Sequence, residues 1–178
     1  MNEPITLVTR STFVCFGTIQ CGVIKPTNMT LEHLNVNVRD EVTSQRIALQ
    51  IAFKHIIKVM VASYGNLVGI VILVNNFCAR RIRETFQISQ EPNVLLAANV
   101  PYFHPESCRI CQRYIIVDMN DCQVPQLMTF FKLVEKRRLE IVADLNRRRG
   151  ETGDYDTDCF LSMSHFSCTI KHLPFHLH

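Results

Sequence analysis

The segment covering residues 67–74 constrains the fold most strongly, because it is short and continuously apolar. A run of this kind is typical of a buried central strand rather than of a helix. Residues 13–24 are rich in β-forming side chains, and residues 34–38 and 82–88 alternate polar and apolar positions. Together with the apolar segment 114–117, these patterns predict a mixed or antiparallel sheet.

Two further segments have the spacing of amphipathic helices. Residues 41–63 follow Asp40, which is suited to an N-cap, and they carry a broad apolar arc with polar residues at every fourth position. Residues 124–148 follow Asp121, another capping residue, and place Pro125 in the first turn. We therefore expect an α+β fold in which the sheet packs against two main helices, about 41–63 and 124–148.

The length and composition favour one globular domain. The chain has 178 residues, of which 47% are hydrophobic and 20% are charged, so we expect a single α+β domain at 1–149 and a Cys/His-bearing C-terminal tail at 150–178. The N-terminal sequence does not resemble a signal peptide, and no apolar run reaches the roughly 20 residues of a membrane span. We expect an intracellular, cytoplasmic and peripherally membrane-associated protein that is not secreted and has no transmembrane span.

The basic residues, which give a net charge of +3, occur in clusters. The candidate anion-, lipid- or RNA-binding residues are Arg46, Lys54, Lys58, Arg80, Arg81, Arg83, Lys136, Arg137 and Arg138. Clustered cations neutralise phosphates or adsorb to anionic lipid, although long cationic side chains also simply solvate helix faces. Aromatic residues do not interleave with these clusters, which argues against a stacking surface for single-stranded nucleic acid.

Cys108 and Cys111 are separated by two residues, a spacing that allows both thiolates to bind one zinc ion. The C-terminal tail offers Cys168 and His172, which are four residues apart, as a second pair. We expect no cofactor, and the alternative is a structural zinc bound by these four residues. The other interpretation is a loop with two reduced thiols, and a redox pair is disfavoured because the motif precedes a strand.

Sequence signatures of enzymes are absent. The chain has no glycine-rich phosphate loop, no nucleophile elbow and no paired histidines around a helical glutamate. Asp118 follows a buried strand, a position that catalytic carboxylates and ordinary strand-end residues both occupy. Cys122 could act as a nucleophile only with a distant histidine. We therefore expect no catalytic residues and no small-molecule substrate, and a small cysteine-dependent enzyme is the second alternative.

In size, charge and element order, residues 12–149 resemble the matrix proteins of rhabdoviruses, particularly the short ones of plant-infecting members. The resemblance implies a non-enzymatic structural protein of the virion and host cytoplasm, which self-associates and bridges a ribonucleoprotein to a membrane. The chain lacks the proline-rich budding peptides and the lysine-rich N-terminal arm of many animal-virus members, so no residue role is transferred from them. The alternative class is a zinc-stabilised adaptor that binds another protein through Cys108, Cys111 and the tail.

Overall fold

The computed structural model describes residues 5–64, 67–91 and 100–149 and has an α+β architecture, as predicted. Its strands are β1 (Thr6–Thr9), β2 (Phe13–Phe16), β3 (Ile19–Thr30), β4 (His33–Asp40), β5 (Arg46–Ala52), β6 (Ile56–Tyr64), β7 (Leu67–Val74) and β8 (Ile115–Asp118). Its helices are α1 (Asn76–Phe86) and α2 (Val124–Arg149), and single 3-10 turns cover Phe53–His55 and Ile110–Gln112. The predicted tail, 150–178, lies outside the described residues.

The strands form one antiparallel sheet in the order β5-β4-β3-β2-β8-β7-β6, and β1 pairs with the second half of β3. The two edge strands, β5 and β6, are joined by only the turn Phe53–His55. In a flat sheet these edges would lie roughly 29 Å apart, whereas the chain from Ala52 to Ile56 spans at most roughly 14 Å. The sheet must therefore curl until the end of β5 meets the start of β6.

Helix α2 packs where the two edges meet. It contacts β6 and the turn Phe53–His55, and the Phe131 ring lies edge-on to the buried Phe53 ring with centroids 5.9 Å apart. Leu127 and Val134 are fully buried on the same side of the helix, so α2 covers the core beside β5 and β6, which do not pair with each other within the described residues. The prediction of a helix at 124–148 with Pro125 in its first turn is confirmed.

The predicted helix at 41–63 is wrong, because this segment forms β5, the turn Phe53–His55 and β6. The apolar residues of β5 alternate with polar or small ones, and the whole strand pairs in register with β4. Asp40 does act as a local cap, since its Oδ1 accepts hydrogen bonds from the N–H groups of Val42 and Thr43. These bonds stabilise the turn between β4 and β5, so a capping signal was mistaken for the start of a helix.

The predicted strand at 82–88 is also wrong, because most of it belongs to α1. Asn75 caps the start of the helix, since its Oδ1 accepts a hydrogen bond from the N–H of Cys78 at 2.9 Å. Gln87, in a left-handed conformation, caps its end. Cys78, Ile82 and Phe86 are buried at four-residue intervals, and the Phe86 ring contacts Phe16 of β2 at 5.1 Å. Helical packing across the sheet thus overrides the short alternating pattern. Neither described helix is long and apolar enough to cross a membrane.

Candidate functional site

A groove of about 450 Å³ lies between the edge strand β5 and helix α1. One wall is the strand segment 48–52, and the other is the side of α1 that carries Phe77, Arg81 and Thr85. In the described residues β5 pairs only with β4, so the strand edge that faces away from β4 presents backbone donors and acceptors. Lys54 and His55, from the turn after β5, contribute to the same groove.

The groove is strongly cationic. Lys54 and Arg81 line it together with His33 and His55, and none of the described lining residues is an aspartate or a glutamate. Within the described part of the chain, neither Lys54 nor Arg81 forms an ion pair, whereas Arg80 and Arg137 do. The groove therefore has two permanent positive charges available to an anionic ligand. We call this site the cationic groove.

An exposed aromatic ring forms part of the groove wall. Phe77 is 48% exposed, and its ring centroid lies 5.0 Å from the His55 imidazole. The guanidinium carbon of Arg81, one helical turn further along, lies 5.9 Å from the same centroid. The cations and an aromatic face are thus adjacent, which corrects our expectation that aromatic residues stay apart from the basic clusters.

His55 is uncharged in this environment at neutral pH. Burial, reinforced by the nearby charges of Lys54 and Arg81, lowers the pKa of its imidazole to about 4. The side-chain nitrogen of Asn75 lies 3.3 Å from Nδ1 of His55. His55 therefore contributes a neutral, orientated ring at pH 7, and Lys54 and Arg81 supply the positive charge.

The remaining predicted cations lie outside the lining of the groove. Arg46 is exposed on β5 opposite Arg39 of β4, and Lys58 is half-buried on β6. Arg80 is exposed, with its Nε 4.0 Å from Glu84, and Lys136 is exposed on α2. The four-residue spacing of Arg46, Lys54 and Lys58 does not place them on one helix face, because the three residues belong to two edge strands and the turn between them.

Two of the predicted cations are not on the surface. Arg83 is 4% exposed and donates hydrogen bonds to Gln90 and to the carbonyl oxygen of Phe103, while Arg138 is 2% exposed. The interpretation of both as anion-binding surface residues is therefore corrected, because each lies on the inward side of its helix. Arg137 is exposed but bonds to Glu32 at 2.8 Å and Glu140 at 3.2 Å, so its charge is partly compensated.

The predicted zinc ligands are only partly described. Cys108 is exposed and Cys111 is half-buried within the turn Ile110–Gln112, but Cys168 and His172 lie outside the described residues. Among the residues that the structure covers, no group of three or more cysteine, histidine or acidic side chains is arranged to hold a metal ion. The zinc site stays a prediction.

The residues considered for catalysis have structural roles. The Asp118 carboxylate accepts hydrogen bonds from the N–H groups of Thr12 and Phe13, both at 2.8 Å, and from the Thr12 hydroxyl at 3.0 Å. It thereby joins the ends of β8 and β2. Burial raises the pKa of the Cys122 thiol, which disfavours the thiolate that nucleophilic attack requires. Asp121 accepts from the Thr9 hydroxyl and the Arg10 N–H instead of capping α2.

Sequence reasoning missed Phe77 and His55 as site residues. Phe77 precedes Arg81 by four residues, which is one helical turn, so the signal was present but depended on assigning α1 as a helix. His55 had no local signal, because its position follows from the meeting of the two sheet edges. Comparison with protein-family models, with curated proteins and with solved structures gave no significant match. The resemblance to rhabdovirus matrix proteins therefore stays a prediction.

Proposed function

We propose that this chain is a non-enzymatic structural protein, comparable to a rhabdovirus matrix protein, that self-associates and bridges a ribonucleoprotein to an anionic membrane surface. The observation that carries the proposal is the cationic groove, whose described lining residues include Lys54 and Arg81 and no aspartate or glutamate. A concave site with uncompensated charges suits an anionic polymer, because charge neutralisation supplies most of such an affinity. Both residues belong to the basic clusters of the sequence.

A second basic surface suits a flat partner. The outward side of α2 carries the exposed cations Lys132 and Lys136 and two leucines, Leu133 and Leu139, that are 38% and 41% exposed. Its exposed acid, Glu140, pairs with Arg137 at 3.2 Å. Cations interspersed with apolar side chains on a convex helix are typical of contact with an anionic lipid surface. Two basic surfaces of different shape allow one chain to bridge two anionic partners.

Self-association has a structural basis in the sheet. The described strand order ends at β6 as well as at β5, and an edge strand such as β6, which does not line the groove, offers backbone groups for pairing with another chain. Light scattering of the full-length protein is expected to show species larger than a monomer. A strictly monomeric protein at all salt concentrations would contradict this part of the proposal.

The proposal is tested with two probes, a fluorescent oligouridine RNA and phosphatidylserine-containing vesicles. In the full-length protein, Lys54→Glu/Arg81→Glu is expected to weaken RNA binding by roughly tenfold or more, and Lys132→Glu/Lys136→Glu to weaken vesicle binding. The control Lys25→Glu/Arg39→Glu makes the same change in net charge at exposed residues that do not line the groove.

The control variant is expected to retain most of both activities. If the wild-type protein binds neither probe, or if the control loses as much binding as the groove variant, the proposal is wrong. The zinc-stabilised adaptor and the cysteine-dependent enzyme stay as alternatives, but no described contact favours either of them.

A further inference from the structure

We infer that the cationic groove binds single-stranded nucleic acid by stacking an unpaired base on Phe77 while Lys54 and Arg81 hold the adjoining phosphates. This inference rests on the proposed function, because it names the ligand class of the same groove. It goes further than the proposed function because Phe77 would recognise a base, in addition to the charge that the two cations recognise.

The first argument is the position of Phe77. A large apolar side chain that is 48% exposed at the wall of a groove has apolar surface available to a ligand. His55 and Arg81 contact the ring at centroid distances of 5.0 and 5.9 Å, so the wall is a small cluster of planar groups. Aromatic rings and guanidinium planes are the surfaces on which proteins stack unpaired bases.

The second argument is the combination of charge and hydrogen-bonding groups. Lys54 and Arg81 are available for phosphates, and the open edge of β5 offers backbone donors and acceptors to base edges and ribose hydroxyls. The volume of about 450 Å³ is that of a pocket for one small ligand. It suits an unpaired nucleotide and not a double helix.

The same features disfavour the other anionic partners. A phospholipid headgroup or an acidic peptide would use the two cations, but its anionic groups have no planar ring to stack on Phe77. A membrane surface is also flat, whereas this site is a groove flanked by β5 and α1. An unpaired nucleotide uses the charge, the aromatic face and the strand edge together.

The test compares two probes of equal length and charge with the full-length protein. One is a fluorescent oligodeoxythymidine, and the other is an abasic deoxyribose-phosphate oligomer. The wild-type protein is expected to bind the base-containing probe roughly tenfold more tightly, because each base–aromatic stack contributes on that scale. Phe77→Leu keeps an apolar side chain but removes the ring, so it is expected to remove this preference, while Phe77→Tyr keeps the ring and is expected to retain it.

Three outcomes overturn the inference. In the first outcome, the wild-type protein binds the two probes equally and Lys54→Glu/Arg81→Glu loses binding of both. The groove then binds anions without stacking a base, so the inference fails and the proposed function survives. In the second outcome, anionic vesicles or an acidic peptide displace the base-containing probe at the same concentration of charge as the probe. That competitor is then the partner of the groove. If the Lys54→Glu/Arg81→Glu variant binds both probes normally, the groove does not bind polyanions, and the proposed function fails with the inference.

Discussion

The backbone N–H of Asn75 donates a hydrogen bond to the carbonyl oxygen of His55 at 2.8 Å. The Asn75 side chain makes two further contacts, since its nitrogen lies 3.3 Å from Nδ1 of His55 and its oxygen accepts the N–H of Cys78. Asn75 therefore ties the first turn of α1 to the turn between β5 and β6. These contacts set the two walls of the cationic groove relative to each other.

His55 is expected to make the stability of the protein depend on pH. Its pKa is lowered from 6.5 to about 4 by burial and then by Lys54 and Arg81, so between these values the unfolded chain binds a proton that the folded chain does not. The free energy of unfolding therefore falls as the pH decreases from about 6.5 to about 4. Because His55 is half-exposed, solvent screening limits its contribution to on the order of 1 kcal/mol.

Urea unfolding of the wild-type protein and of His55→Gln at several pH values measures this contribution. The variant is expected to lose less stability on acidification over this range. Burial also lowers the pKa of His104, and the difference between wild type and variant isolates His55 because His104 is present in both. Parallel curves for the two proteins would show that His55 does not titrate in this way.

Gly17 is expected to be intolerant of any side chain. Its φ is +58°, and a Cβ atom at this position would lie 2.4 Å from the carbonyl oxygen of Tyr102. The backbones are held this close because the N–H of Gly17 donates to the carbonyl oxygen of Tyr114 and the N–H of Thr18 donates to that of Tyr102. Gly17→Ala should reduce the free energy of unfolding by about 3 kcal/mol, from the left-handed conformation and the clash together. Equilibrium urea unfolding measures the change.

Gly22→Ala is the matched control for Gly17→Ala. A Cβ atom at Gly22 meets nothing within 4 Å, so the alanine is expected to leave the stability unchanged or to raise it by up to about 1 kcal/mol. Equal destabilisation by the two alanines would refute the role assigned to the close approach at Gly17.

The buried cysteines are expected to be inert in the folded protein. Burial raises the pKa of the Cys15 and Cys21 thiols to about 12 and that of Cys78 to about 11, whereas Cys108 is exposed. Iodoacetamide at pH 8, followed by peptide mass spectrometry, should modify Cys108 in the folded protein and the three buried thiols only after unfolding in urea. Rapid modification of a buried thiol in the native protein would instead favour the cysteine-dependent enzyme.

Segments with a single strong pattern were predicted well from the sequence. The apolar run of β7 is short and continuous, which favours a buried strand over a helix, and the periodicity of α2 extends over enough turns to outweigh local exceptions. The α+β class followed from these two elements. The prediction of a helix at 41–63 was wrong because two local signals, the Asp40 cap and the four-residue spacing of polar side chains, both favour a helix. The pairing of β5 with β4, which makes this segment a strand, is a contact that the local sequence does not reveal.

The sequence by itself determined the buried strand β7 and the long helix α2, because each of these depends on residues close together along the chain. The basic character of the chain follows from its composition. Only the tertiary structure decided which cations share a site. Lys54 and Arg81 line one groove because the sheet curls and because Asn75 caps α1 beside His55, whereas Arg83 and Arg138 are turned into the interior. The distinction between a cation that can bind a ligand and one that supports the fold depends on long-range packing, which local pattern does not encode.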